Sequence, residues 1–256
     1  MHSVFITGTD TGVGKTVVAA ALLAAARAAG MDAVPMKPVQ TGCAPTSDPG
    51  SVPDLDFCLA MAGWAPAPAE RALLCPYPLQ PPCSPHLAAA MAGRRISIPR
   101  IAYRFGRLAA AHDAVVVEGA GGVLAPLNER ETMLDLMRAL RLPVLLVVRP
   151  GLGTLNHTLL SLGALRGAGV RAAGLVVVHT SRPRADEWIR RDNLQTLESR
   201  GGVPVLAELP HCPHLRSHPA DRDGFLRDTG GAARQLAERL WPATAGAPAN
   251  AAAARR

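Results

Sequence analysis

Six short apolar runs, rich in β-branched residues, recur along this chain with longer helical patterns between them. They predict strands at residues 4–7, 33–37, 114–118, 144–148, 173–178 and 204–207. An alanine-rich helix is predicted at residues 15–29, stopped by Gly30, and another helix at residues 154–166. Alternation of this kind is typical of a parallel sheet covered on both faces. We therefore predict an α/β fold of three layers, with a mostly parallel sheet between two layers of helices.

Two segments depart from this alternation. Residues 43–85 are rich in proline, and they predict a long, partly irregular segment over the site, with a short helix near residues 55–61. Residues 242–256 form an alanine- and proline-rich tract that offers almost nothing to a core, so we expect a disordered tail. Residues 1–241 are then expected to form a single domain, since that length suits one large α/β unit.

Composition narrows the class of protein. Apolar residues make up 48% of the chain and charged residues 18%, and no apolar stretch is long enough to predict a membrane span. A strand pattern begins almost at the N-terminus without a basic leader, so a cytoplasmic location is expected. The net charge is +7, but the arginines are scattered and not interleaved with aromatics, so neither a nucleic-acid nor a membrane partner is expected. The five cysteines lack the spacing of a disulfide framework.

The strongest chemical signal is the segment 8–16, which reads GTDTGVGKT directly after the first predicted strand. A glycine-rich turn between a strand and a helix directs several backbone N–H groups, and the positive end of the helix dipole, at one small volume. Lys15 adds a full charge there, and the Thr16 hydroxyl can ligate the magnesium of a nucleoside triphosphate. The usual first glycine is replaced by Thr9, with Gly8 one residue earlier, so this is a variant phosphate loop. A glycine-rich turn with an exposed lysine is the alternative.

Two charged residues end other predicted strands. Glu118 follows a run of valines and precedes the glycines of 119–122, which places a carboxylate at the carboxyl edge of the sheet, within reach of magnesium. Lys37, held by Pro38, ends the second strand and can stabilise negative charge that develops during phosphoryl transfer. Taken singly, a glutamate of this kind can cap a helix, and a strand-end lysine is more often solvated.

Other candidates are less specific. Asp54 could give the metal a second carboxylate, but Asp48 and Asp56 are equal rivals on composition alone. Ser84 could line the site or simply cap a helix. Residues 153–157 open a predicted helix whose free N–H groups could hold a carboxylate, although a plain helix start explains them equally well.

Together these segments resemble the dethiobiotin synthetases, ATP-dependent carboxylases that close the ureido ring in biotin synthesis. The resemblance covers residues 3–212 and rests on segments that occur in the family's order, namely 8–16 (GTDTGVGKT), 37–42 (KPVQTG), 84–86 (SPH), 117–122 (VEGAGG) and 152–157 (LGTLNH). It implies a P-loop NTPase fold and a homodimer, with diaminopelargonic acid, CO2 and Mg-ATP as substrates. The products it implies are dethiobiotin, ADP and phosphate.

The resemblance also assigns roles by position. It implies catalytic roles for Lys37, Lys15 and Thr11, and magnesium ligands at Thr16, Asp54 and Glu118. The nucleotide would contact Gly12, Val13, Gly14, Lys15, Thr16, Val17, Glu118, Gly121, His179, Glu208 and Pro210. The substrate would contact Thr41 and Ser84, and its distal carboxylate would lie against Gly153, Thr154, Leu155 and Asn156 of the partner subunit.

The chain departs from the family at two places. Position 12 is glycine where well-known members have glutamate, and residues 176–180 (VVVHT) lack the asparagine that often recognises adenine. Base recognition is therefore assigned to His179 and the loop 208–211. One alternative is a switch ATPase like MinD or ParA, but the signature lysine of those proteins is replaced here by Asp10. A second is an amidating ligase of the cobyrinic-acid type, for whose glutaminase domain the chain has no room. A third is a non-catalytic nucleotide-binding module.

Overall fold

The computed structural model describes residues 2–43, 51–181, 187–212 and 221–242. Its strands are β1 (Val4–Gly8), β2 (Ala33–Met36), β3 (Val39–Gln40), β4 (Tyr77–Pro78), β5 (Ala114–Glu118), β6 (Val144–Val148), β7 (Ala172–Val178) and β8 (Val205–Leu209). Its helices are α1 (Lys15–Ala28), α2 (Pro53–Ala62), α3 (Pro68–Leu74), α4 (Pro85–Met91), α5 (Ile98–Ala111), α6 (Met133–Leu140), α7 (Thr154–Gly167), α8 (Glu187–Gly201) and α9 (Arg222–Leu240).

Six strands form one sheet in the order β2-β5-β1-β6-β7-β8, and every pairing between neighbours is parallel. Strand β1 is central, and all five of its residues are buried. Val4 and Ile6 face a core built with α1 and α9, whereas Phe5 faces a second core built with α5, α6 and α7. The predicted three-layer α/β fold is therefore confirmed, and the carboxyl ends of the six strands share one edge.

Most strand predictions agree closely with the structure. The strands at 114–118 and 144–148 have the predicted bounds, because continuous buried apolar runs leave little choice of conformation. The last strand was placed at 204–207 but spans Val205–Leu209, since Glu208 continues the strand. That carboxylate stays within the sheet because it is paired with Arg190 and His179.

The segment 43–85 is more regular than predicted. Its described part contains α2, α3 and the strand β4, which pairs in parallel with β3 just before the segment. Prolines that suggested irregular chain instead start helices, since Pro53 and Pro68 occupy the first helical position, where proline is tolerated. Residues 44–50, including Asp48, lie outside the described residues, as do residues 243–256 of the predicted tail.

No helix in the described part of the chain is long and apolar enough to cross a membrane. The five cysteines are free thiols, and all but Cys83 are buried.

Candidate active site

The phosphate loop lies between β1 and α1, and its geometry requires glycine at one point. Gly14 forms the N-terminal cap of α1 with a φ of 101°, a left-handed conformation that residues with a side chain rarely adopt. A Cβ atom there would also lie 2.6 Å from Cγ1 of Val178 at the end of β7. The loop is thus packed against a neighbouring strand end, which leaves no space for a side chain.

Lys15 begins α1 and is buried at the inner side of the loop. Its Nζ donates a hydrogen bond of 2.8 Å to the carbonyl oxygen of Asp10. The carboxylate of Asp10 lies elsewhere, with one oxygen accepting from the Thr11 backbone at 2.6 Å and the other 3.4 Å from Arg149. Burial, and then the nearby charge of Lys37, lower the pKa of Lys15 to about 8. A bound anion such as a phosphate would raise the pKa of Lys15 again, because a negative charge beside the ammonium favours its charged form.

Lys37 lies one residue beyond β2 and is enclosed by two carboxylates. Its Nζ is 2.6 Å from Oε1 of Glu118 and 2.6 Å from Oδ2 of Asp54. The same Glu118 oxygen accepts a hydrogen bond of 2.8 Å from the hydroxyl of Thr16 in the first turn of α1. Residues from four separate segments thus meet at one point on the carboxyl edge of the sheet.

The electrostatics of this cluster follow from burial and pairing. Burial lowers the pKa of Lys37, but the charges of Glu118 and Asp54 outweigh it and hold that pKa well above its usual range. Lys37 therefore keeps its proton at any physiological pH. Burial raises the pKa of Glu118 by more than the Lys37 ammonium lowers it. Two lysines and two carboxylates therefore lie together at this edge of the sheet, and the carboxylates pair with Lys37.

A cavity of about 1140 Å³ opens above this cluster. Most of the sequence-predicted site residues line it, namely Thr11, Gly12, Gly14, Lys15, Thr16, Val17, Lys37, Thr41, Asp54, Ser84, Glu118, Gly121, His179 and Pro210. The lining combines phosphate-loop residues with residues that follow β7 and β8. This volume and lining suit a nucleotide lying beside a second small molecule.

Comparison with known proteins gives the family. A family model described as "AAA domain" matches residues 2–218. The chain is 46% identical over 89% of its length to the ATP-dependent dethiobiotin synthetase of Anaeromyxobacter sp. (strain Fw109-5), covering 96% of that protein. The corresponding protein of Anaeromyxobacter dehalogenans (strain 2CP-C) is 51% identical over 84% of this chain and 92% of its own. The chain belongs to the dethiobiotin synthetase family.

Similarity to solved structures shows how widely this family's fold is shared. The MinC:MinD cell division complex of Aquifex aeolicus aligns with a TM-score of 0.63 over 96% of this chain and 98% of that chain, at 14% identity. MinD of Pyrococcus horikoshii, solved with Mg-ADP, aligns with a TM-score of 0.59 over 94% of this chain and 96% of that chain, at 16% identity. At such identities the similarity concerns the P-loop NTPase fold alone.

The structure distinguishes between the rival aspartates that the sequence left open. Asp54, in the first turn of α2, is the one that faces Lys37. Asp56 is committed elsewhere, because its carboxylate accepts from the Val52 backbone at 2.8 Å and from Ser51, and also pairs with Arg71. Asp48 lies outside the described residues. Among the two aspartates described, only Asp54 lines the cavity.

The residues present fit a magnesium ion in the manner of nucleotide enzymes. Within the described ranges, no group of three or more histidine, cysteine or acidic side chains could hold a metal by itself. Magnesium in such sites uses one or two carboxylates and completes its shell with phosphate oxygens and water. Glu118 and Asp54, with the Thr16 hydroxyl, offer that partial set of oxygen ligands.

The residues assigned to the distal substrate carboxylate lie away from this cavity. Gly153 caps α7 with a φ of 89°, and Asn156 is exposed in its first turn. None of the four assigned residues lines the cavity, and neither does Val13, which is buried in the core. Ser84 is at the cap position of α4, but its side chain makes no capping hydrogen bond, so the cavity is its principal environment.

Arg190 on α8 was not found from the sequence, and it reaches the site through Glu208, which the sequence analysis assigned to the nucleotide. Glu208 does not itself line the cavity, but Oε1 of Glu208 lies 2.6 Å from Nε2 of His179, which does. The other carboxylate oxygen of Glu208 accepts from Arg190 on α8. That helix is polar along most of its length, so no periodicity marked Arg190 as a residue that supports the site.

Proposed function

We propose that this protein catalyses the Mg-ATP-dependent carboxylation and ring closure of diaminopelargonic acid with CO2, giving dethiobiotin, ADP and phosphate. The observation that carries the proposal is the meeting of Lys15, Lys37, Thr16, Asp54 and Glu118 at one end of a large cavity. Relatives named ATP-dependent dethiobiotin synthetase, at 46% and 51% identity over most of the chain, support the same activity.

The reaction that this site would perform has three steps. One amine of the substrate adds to CO2 and loses a proton, which gives a carbamate. A carbamate oxygen then attacks the γ-phosphorus of ATP, and ADP leaves, so that a carbamic–phosphoric anhydride forms. The second amine attacks the activated carbonyl carbon, the C–O bond to phosphate breaks, and the ring closes with loss of a proton.

Negative charge develops at the carbamate and the migrating phosphoryl group, and the two lysines would stabilise it. Lys37 is held in one place by Glu118 and Asp54, so its charge needs little reorganisation when the phosphoryl group moves. Lys15, whose pKa burial lowers, regains its charge most readily beside phosphate. Thr11 and Thr41, which line the cavity, would contact the reacting end of the diamine.

Magnesium held by Thr16, Asp54 and Glu118 would neutralise the phosphates and polarise the reacting one. The backbone N–H groups of residues 12–17 would hold the phosphate chain at the start of α1. Pro210 and His179, which follow β8 and β7, also line the cavity and would contact the base. ATP is thus a co-substrate, and magnesium is the one resident cofactor that the proposal requires.

A homodimer would complete the site. The start of α7, at Gly153, Thr154, Leu155 and Asn156, lies outside the cavity of its own chain, as expected of residues that serve a partner. Leu152, just before this helix, and Leu160, in its middle, are both exposed. Exposed apolar side chains of this kind suit a protein interface. The free N–H groups of the first turn would hold the distal carboxylate of the substrate bound to the partner. A cytoplasmic location, with no nucleic-acid or membrane partner, completes the proposal.

Initial rates of phosphate release test the proposal. We expect release from Mg-ATP to require both bicarbonate and the diamine, and mass spectrometry to detect dethiobiotin. Slow hydrolysis that is indifferent to the diamine would instead favour a switch ATPase. Nucleotide binding with no turnover under any of these conditions would favour a non-catalytic module.

A further inference from the structure

His179 lines the cavity where the nucleotide base is expected, and the structure fixes its position. It follows β7 directly, and its backbone N–H donates a hydrogen bond of 3.0 Å to the carbonyl of Leu209 at the end of β8. The preceding residue, Val178, packs against Gly14 of the phosphate loop. A nucleotide whose phosphates lie on that loop therefore has this part of the cavity within its length. The side chain is only 9% exposed, so contacts here are made largely away from water.

The ring of His179 has one nitrogen engaged and one free. Nε2 lies 2.6 Å from Oε1 of Glu208, and a carboxylate can only accept, so Nε2 carries the proton. No residue within the described ranges forms a hydrogen bond with Nδ1. In a neutral ring Nδ1 is then an acceptor, and it is the polar atom that the ring can still offer to a ligand in the cavity it lines.

Arg190 holds Glu208 from the side opposite the ring. Its guanidinium pairs with the second oxygen of Glu208 and also with Glu187 on its own helix. The Glu208 carboxylate is therefore held in place by Arg190, and its other oxygen is directed at Nε2 of His179. The three residues form a chain in which each fixes the hydrogen-bonding role of the next.

We propose that His179 Nδ1 accepts a hydrogen bond from the exocyclic amino group of the nucleotide base. The site then selects adenine and cytosine over hypoxanthine and uracil, which present an oxygen at that position. Two acceptors facing one another leave a buried group unpaired, so we expect binding of the oxo bases to be about tenfold weaker. Glu208 and Arg190 are positioning residues that hold the tautomer. The inference rests on the proposed function only in placing the nucleotide phosphates on residues 8–16.

Dissociation constants of nucleoside diphosphates, measured in the presence of magnesium, test the inference without turnover. ADP is compared with IDP, and CDP with UDP, by calorimetry on the full chain in the absence of diamine and bicarbonate. Each pair keeps the ring size and replaces the amino group by an oxygen. In the unaltered protein we expect both amino-bearing nucleotides to bind about tenfold tighter. Equal affinities, or tighter binding of the oxo nucleotides, would overturn the inference.

Variants separate base recognition from folding. His179→Leu removes the acceptor, so the ratio within each pair should fall to about one. Glu208→Gln lets the ring adopt either tautomer and should also lower the ratio, as should Arg190→Met, with Arg190→Lys restoring part of it. Arg191→Met is the matched control, because Arg191 lies on the same helix with its side chain 77% exposed. An unchanged ratio in both His179→Leu and Glu208→Gln would overturn the inference.

These outcomes are distinct from those of the proposed activity. The constants are measured without the diamine, so a protein that forms no dethiobiotin can still show the base preference. A protein that forms dethiobiotin with equal affinity for ADP and IDP would keep its proposed function and lose this inference.

Discussion

The Nζ atom of Lys37 lies 2.6 Å from Oε1 of Glu118, and both side chains are almost completely buried. A second carboxylate, that of Asp54, lies at the same distance from the same nitrogen. Charges removed from water in this way are costly unless they are paired in good geometry. The arrangement therefore fixes one cation at the point where the proposed reaction develops negative charge.

Lys37→Gln is expected to separate binding from catalysis. The phosphate loop and Lys15 remain, so the affinity for Mg-ADP should change little. Loss of the fixed charge should lower kcat for dethiobiotin formation by about 100-fold or more. Calorimetry and steady-state rates measure the two quantities on the same preparation. Normal turnover by this variant would remove Lys37 from the mechanism.

The same pair makes a prediction about stability. Lys37→Gln leaves Glu118 buried with only Thr16 as a partner, so the free energy of unfolding should fall by about 3 kcal/mol. The double variant Lys37→Gln, Glu118→Gln should lose less than the sum of the two single variants, because the fully buried carboxylate of Glu118 is then absent and only the partly exposed Asp54 has lost its partner. Urea unfolding of all four proteins gives the coupling free energy. Additive losses would contradict the pairing.

Asp54 and Asp56 provide a matched test of the metal site. They lie two positions apart in α2, but only Asp54 faces Lys37, whereas Asp56 holds the start of the helix. Asp54→Asn should raise the magnesium concentration needed for half-maximal turnover several-fold. Asp56→Asn should leave that concentration unchanged and lower the thermal midpoint by a few degrees, about the loss of one helix cap. If Asp56→Asn raised the magnesium requirement and Asp54→Asn did not, Asp54 would be excluded as the ligand.

The choice between these aspartates shows where sequence reasoning reached its limit. Residues that end buried strands, such as Glu118 and Lys37, could be placed at the sheet edge because apolar runs fix strand position. Asp54 and Asp56 share a helix and a composition, and only packing decides which one faces the site. The two-residue strands β3 and β4 could not be predicted from the sequence either, because each forms only by pairing with a segment far away in the chain.

Support behind the cavity was harder still to predict. His179 was placed at a strand end correctly, and it lines the cavity. Its partner Arg190 belongs to a polar helix, where an arginine that orients Glu208 looks like any solvated arginine. The start of α7 was predicted as a helix at residue 154, where the structure has it, because Gly153 adopts the left-handed conformation that precedes the first turn.

Lys15 predicts proton uptake on nucleotide binding. Its pKa is lowered to about 8 in the free protein, so at pH 9 the side chain is mostly neutral. Phosphate beside it favours the charged form, and binding of Mg-ADP at pH 9 should therefore take up between about 0.5 and 1 proton per site. Calorimetry in buffers of different ionisation enthalpy measures this number. Lys15→Arg, which stays charged throughout, should show almost no uptake.

Glycines 12 and 14 should tolerate substitution very differently. A Cβ at Gly14 would meet Val178 at 2.6 Å, so Gly14→Ala must displace the loop or the strand end and should abolish measurable nucleotide binding. A Cβ at Gly12 meets nothing within 4 Å, and only its φ of 71° is unfavourable. Gly12→Ala should therefore cost about 1 kcal/mol of stability and leave the affinity for Mg-ADP within a fewfold. Equal effects of the two variants would contradict the close packing of Gly14.

If phosphoryl transfer at this site activates a carbamate, phosphate and product should form together, and 13C-labelled bicarbonate allows both to be counted. Phosphate and dethiobiotin are quantified in the same reaction, the latter by mass spectrometry. We expect about one labelled dethiobiotin for each phosphate released. Phosphate released in the presence of the diamine without labelled product would contradict it, because ATP would then be hydrolysed without carboxylation.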